Sequence, residues 1–134
     1  MKYEQVKENY STGTIKYHHY VNENHNAIGE CRVYRPNGQL WCHYFRCNNL
    51  DYGEMKIISD TGTLSEHYLF NGSGNRVAIV IQSGKSVHHT EEQLIQIAKE
   101  RGLPLLSALP KTEEEVTLWN MKYPDFPCLP IEST

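Results

Sequence analysis

The dipeptide His-Tyr stands at His19-Tyr20, His43-Tyr44 and His67-Tyr68, each 24 residues from the last. Gly-Glu follows the first two at Gly29-Glu30 and Gly53-Glu54, again 24 residues apart. A fixed period constrains a chain strongly, because each unit must be one supersecondary element that buries its apolar side against its neighbours. Behind the Gly-Glu pairs lie GECRVY (29–34), GEMKII (53–58) and the looser VAIVIQ (77–82). Turn residues Ser11-Thr12-Gly13, Pro36-Asn37-Gly38 and Asp60-Thr61-Gly62 fall between, each followed two residues on by Ile15, Leu40 or Leu64. The first turn is displaced by one residue, a shift that a β-bulge between Ile15 and His19 would absorb.

Each unit reads as two short strands. In the second strand Cys31 and Val33, Met55 and Ile57, and Ile79 and Ile81 share one face, with Glu30 and Arg32 or Glu54 and Lys56 on the other. That is the period-two alternation of a half-buried strand. In the first strand Leu40, Cys42 and Tyr44 alternate with Trp41, His43 and Phe45, so both faces carry bulky groups and contact is expected on both sides. Asn-Gly and Thr-Gly suit tight hairpins, because glycine reaches positive φ without strain. The expectation is an antiparallel meander of about six strands over residues 10–82.

The pattern Tyr-x-x-Asn-Gly-x-Leu, an aromatic strand, Gly-Glu and the next turn glycine resembles the variant MORN repeat of bacterial YwqK-like proteins. Tyr34, Asn37, Gly38, Leu40, Tyr44 and Gly53 carry the resemblance best. Tyr10, Gly13, Ile15, Tyr20 and Gly29 carry it in the first unit, and Gly62, Leu64 and Tyr68 in the third. The resemblance implies a single-layer, curved β-hairpin array that serves as an interaction scaffold, with protein partners and sometimes lipids rather than one conserved reaction.

After Gly84 the pattern changes. Thr90-Glu91-Glu92-Gln93 is a capping box, followed by an apolar stripe of Leu94, Ile95, Ile97 and Ala98 that ends near Gly102. Thr112-Glu113-Glu114-Glu115 opens a shorter helix with Val116 and Trp119 inward, and Leu118 or Met121 beside them, stopped by Tyr123-Pro124. Between them GLPLLSALP is broken by Pro104 and Pro110 and reads as a buried connector. The tail YPDFPCLPIEST reads as an extended strap. Residues 1–134 are thus expected to form one mainly β domain of α+β class. A hairpin-repeat sheet (10–82) is capped by two short helices and a proline-rich tail (83–134).

The net charge of −3, with both signs interleaved, gives no basic field for general nucleic-acid binding and no polybasic membrane patch. No apolar run approaches the roughly 18 residues of a membrane span. The polar MKYEQVKENY has no signal-peptide core, so a cytoplasmic location is expected. In that compartment Cys31, Cys42, Cys47 and Cys128 are expected as free thiols. Cys31 shares its repeat position with Met55 and Ile79, and Cys42 lies on the Leu40 face, so both behave as small hydrophobes. Structural zinc sites normally bring closely spaced ligand pairs, so no metal and no cofactor is expected.

His19, His43 and His67 share one sequence register, which sets them in a row along the sheet at about two strand spacings, roughly 10 Å. The spacing is too long to share one metal ion. It suits either a repeated surface for an extended partner or imidazoles that each bond to a neighbouring strand or cap helix. The candidate binding residues are His19, Trp41, His43, Phe45, Arg46 and His67. Enzyme motifs are weak. Gly84-Lys85-Ser86 resembles a phosphate loop, but the pattern needs a glycine where Ile79 stands. Ser83 or Ser86 beside His88 and His89 lacks an oxyanion-hole motif. No catalytic residue is therefore assigned. The expected function is a non-enzymatic protein-binding module, of which an inhibitory or antitoxin-like accessory protein of bacterial or phage origin is one form. The alternative is a small-molecule or nucleotide binder, or a hydrolase, with a pocket between sheet and helices. An unpaired edge strand offers a route to a homodimer.

Overall fold

A computed structural model describes residues 3–131. Eight strands follow one another as a single antiparallel sheet in sequence order. They are β1 (Tyr3–Asn9), β2 (Ile15–Asn22), β3 (Ala27–Tyr34), β4 (Leu40–Cys47), β5 (Leu50–Ile58), β6 (Leu64–Asn71), β7 (Arg76–Gln82) and β8 (Lys85–Ser86). The expected meander over residues 10–82 is β2–β7, with one strand added at each end. β1 is largely exposed and rich in Glu and Lys, so its apolar alternation is too faint to read. Glu4, Lys7 and Glu8 on that outer strand are charges of the kind that blunt edge pairing.

The lower turns close as the sequence predicts: the N–H groups of Gly13, Gly38 and Gly62 donate to the carbonyls of Tyr10, Arg35 and Ser59. The strand register differs from the expected one. Facing residues run Lys7, His18, Arg32, His43, Lys56, His67 across β1–β6. Residues directly opposite in antiparallel strands share a face. The histidine row is therefore His18, His43 and His67, while His19 turns to the other side and stacks on Tyr17. The bulge expected between Ile15 and His19 is present, with Lys16 the extra residue between the pairs Glu8–Tyr17 and Asn9–Ile15. The same bulge recurs at Trp41 and Ser65, so it does not absorb the one-residue displacement. That displacement is taken up between β2 and β3, where Glu23–Asn26 make a longer connection than Asn48 and Asn49 make between β4 and β5. The recurrence of His-Tyr at 19 and 43 is thus offset by one from the structural repeat.

The returning strands carry a second set of bulges. His19 of β2 faces the three residues Gly29, Glu30 and Cys31 of β3, and Tyr44 and Phe45 of β4 face Tyr52–Met55 of β5. Towards the following strand both segments stay in register, Glu30 opposite Phe45 and Glu54 opposite Leu69. A bulge takes backbone groups out of one ladder and leaves them for another partner.

That partner is the C-terminal chain. Helix α1 (Glu91–Arg101) starts at the Thr90 capping box and ends at Gly102 in the left-handed conformation, as the sequence predicts. Leu94 and Ala98 pack on Leu69, Ala78 and Val80. A short 3-10 turn at Leu106–Ala108 follows, then α2 (Glu113–Lys122), capped by the Thr112 hydroxyl. Val116 and Trp119 pack towards the Phe45, Leu109 and Cys128 cluster. Leu118 and Met121 do not turn inward: they are 64 % and 73 % exposed. Both apolar clusters lie on the Phe45 and Leu69 side. Leu40, Cys42 and Tyr44, expected to be covered as well, are only half-buried. Among the described residues no helix is long and apolar enough to cross a membrane.

Candidate functional site

Glu30 and Glu54 were expected on the polar face of their strands, yet they are buried to 1 % and 4 % exposure. The bulge and the C-terminal chain explain the difference. At β5, the Glu54 N–H donates to Pro104 O at 3.0 Å, and the Leu106 N–H donates back to Glu54 Oε1 at 2.8 Å. At β3, the Glu30 N–H donates to Pro127 O at 3.0 Å, and the Leu129 N–H donates to Glu30 Oε1 at 2.8 Å. Each glutamate thus holds an extended Pro-x-Leu segment by two reciprocal bonds, Pro104-Leu105-Leu106 at one register and Pro127-Cys128-Leu129 at the other.

The second carboxylate oxygen is taken by the histidine row. His67 Nε2 lies 2.6 Å from Glu54 Oε2, and His43 Nε2 lies 2.7 Å from Glu30 Oε2. Arg32 adds Nε and Nη2 contacts to Glu30 Oε2 at 2.8 and 2.7 Å. An ionised carboxylate can only accept, so both histidines carry the proton on Nε2. Burial pushes the Glu30 carboxyl up, but the His43 hydrogen bond, the Arg32 charge and the Leu129 N–H outweigh it and hold Glu30 below its ordinary value. Glu54 is held low against the same burial by His67, the Leu106 N–H and Lys56. Buried carboxylates with both oxygens engaged fix the position of whatever donates to them.

Glycine precedes each glutamate for a steric reason. Gly29 and Gly53 have φ of 77° and 79°. A Cβ on Gly29 would overlap the backbone of Pro127, and one on Gly53 would overlap Pro104. Gly-Glu followed thirteen residues on by His is therefore one clamp, present twice. Its elements were visible in the sequence as a repeated Gly-Glu and a repeated His. Their partnership was not, because it needs the bulge that turns the glutamate towards the C-terminal chain. The third returning strand has Val77-Ala78 at this position, and Ala78 takes the apolar surface of α1 instead.

The candidate binding residues separate accordingly. His67 is fully enclosed, and Phe45 is buried under Phe126, whose ring stacks on it at 5.5 Å. His43 stays partly open at the margin of the strap. Trp41 is 38 % exposed, with the Arg35 guanidinium 4.4 Å from its ring. Arg46 pairs with Asp51 at 3.3 Å and lies over Tyr44. His19 is on the opposite face. His43 and Phe45 share one face, partly open at His43 and buried at Phe45. Trp41 is the extra residue where the β3–β4 register slips, exposed beside Arg35, and Arg46 turns to the other face with Tyr44.

All four cysteines are free. Burial pushes the Cys31 and Cys128 thiols up to about 12, so neither is a thiolate nucleophile near neutrality. Among the described residues no three His, Cys, Asp or Glu side chains are grouped to hold a metal ion. Near Gly84-Lys85-Ser86, His89 Nδ1 accepts the Ile79 N–H at 3.1 Å, which commits that imidazole to the sheet. No protein-family model matches the chain, and comparisons with curated proteins and with solved structures give no significant match.

Proposed function

We propose that this chain is a non-enzymatic binding protein whose repeat β-sheet engages a protein partner, in keeping with the MORN-like spacing of its hairpins. The observation that carries the reading is the doubled clamp: at two successive repeats the same Gly-Glu-His set seats an extended polypeptide through its backbone N–H and C=O groups. A surface that reads backbone and a proline-leucine spacing is suited to polypeptide, as when an extended segment is added to exposed backbone groups. Trp41 and the rim of His43 supply accessible surface, Phe45 and His67 support the sheet face from beneath, and Arg46 and His19 belong to the second face. Aromatic and arginine side chains of this kind dominate the energetics of protein interfaces.

The test is affinity capture from the native cell with the unmodified chain, Trp41→Ala and His43→Ala. A specific partner lost from one or both variants is expected. Undiminished capture by both would contradict the reading.

A further inference from the structure

The most regular apolar alternation in the chain points to the side of the sheet that the C-terminal chain leaves bare. Across the strand pairs Val33 faces Cys42 and Cys42 faces Ile57, while Cys31 faces Tyr44, Met55 faces Tyr68 and Tyr68 faces Ile79. None of these side chains belongs to either apolar cluster, and both clamps lie on the other side. Val33, Cys42, Tyr44, Met55, Ile57 and Ile79 are left half-buried. Cys31 and Tyr68 lie deeper, Tyr68 beneath the Arg76 guanidinium and beside the Phe70 ring. A contiguous apolar face without a covering layer marks an interaction surface.

The charges around this face show what fits it. Glu8, opposite Tyr17, and Glu4, opposite Val21, stand on it at the β1 end. Arg76, opposite Phe70, and Lys85, opposite Gln82, stand on it at the β7–β8 end. Glu66 at that end is engaged by the Tyr68 hydroxyl at 2.6 Å. In the middle Arg46 faces Asp51 at 3.3 Å. The pattern is its own complement about a two-fold axis that runs along the strands between β4 and β5. That axis lays β4 over the partner's β5 and β1 over the partner's β8. Arg46 then meets the partner's Asp51, Glu8 meets the partner's Lys85, and Glu4 lies nearest the partner's Arg76, each contact occurring twice. The other two-fold in the plane of the face, across the strands, sets Glu4 against the partner's Glu8.

We infer that this bare face docks on the same face of a second copy of the chain, forming a two-sheet sandwich about the axis along β4 and β5. Stacked sheets pack face to face about 10 Å apart with strands nearly aligned. Strands β1–β7 at about 4.8 Å spacing, each giving about five residues of about 3.3 Å, present a footprint of roughly 550 Å² per copy. Two such faces bury about 1,100 Å² together, above the roughly 1,000 Å² that a specific interface needs. The inference does not rest on the partner reading above, which uses the covered side.

The test is sedimentation velocity of the full chain under reducing conditions across a micromolar concentration series. A reversible monomer–dimer equilibrium is expected; a monomer throughout, or growth into longer strings of copies, overturns the inference. Ile57→Asp, central on the face and opposite the partner's Cys42, is expected to weaken the dimer at least about tenfold, because a carboxylate is buried there unpaired. Dimerisation that ignores Ile57→Asp overturns the inference, as pairing through an edge strand would produce. Lys85→Glu on the exposed hairpin sets like charges together twice and is expected to weaken the dimer several-fold. Adding Glu8→Lys to that variant is expected to restore it. Because β1 and β8 are opposite ends of the sheet, restoration arises only between copies. No weakening by Lys85→Glu, or no restoration in the double variant, overturns the two-fold placement, and this comparison stands even if Ile57→Asp fails to fold.

Discussion

Glycine at 53 is required by conformation and by space, whereas glycine at 62 is required by conformation alone. Both have positive φ, 79° and 87°, but a Cβ at 53 meets the Pro104 backbone while one at 62 has only Gln39 Nε2 at 3.6 Å. Gly62→Ala should cost about 1 kcal/mol, the left-handed penalty, and Gly53→Ala about 2–4 kcal/mol because overlap with the connector is added. Chemical denaturation of the two variants checks the difference. Glu54 gives a second prediction. Its carboxyl is held below the ordinary value of 4.5 by His67 and the Leu106 N–H, so its contribution is fully present above that value and is lost as pH falls through the lower folded value. Acid should therefore loosen the connector below about pH 4.5, and Glu54→Gln should remove that part of the pH dependence while costing about 2 kcal/mol at neutral pH. Thermal unfolding across a pH series measures both.

Among the elements, helix α1 is a structural anchor and α2 is not. Leu94→Ala, which empties a position packed on Leu69 and Ala78, should cost about 2–5 kcal/mol, whereas Leu118→Ala on exposed α2 should stay within about 0.5 kcal/mol. Denaturant midpoints of the two variants test the contrast. The same elements show how far the sequence could be read. Capping boxes at Thr90 and Thr112, turn glycines at 13, 38 and 62, and alternation in β2–β7 are local signals, and they locate these elements correctly. The extra residue before Ala27 is not a local signal of the same kind. His-Tyr at 19 and 43 matches in sequence, while strand pairing selects His18, so the sequence period points one residue away from the row. The polar faces of β3 and β5 are buried at Glu30 and Glu54: alternation names a polar side without saying that a later segment covers it. Glu30 and Glu54 became core residues only through Pro127 and Pro104, 97 and 50 positions further along the chain.

At the scale of the molecule, the sheet and its C-terminal chain run in opposite senses. The sheet advances from β1 to β8, and the chain then returns over one face, with α1 at β6 and β7, Pro104–Leu106 at β5 and Pro127–Leu129 at β3. The return path registers on the repeat because each Gly-Glu bulge offers the same N–H and the same carboxylate. Native-state hydrogen exchange of the Leu106 and Leu129 amides, both donors to buried glutamates, tests this directly. Strong protection is expected at both. Exchange of both at the rate of an unstructured peptide would contradict the account.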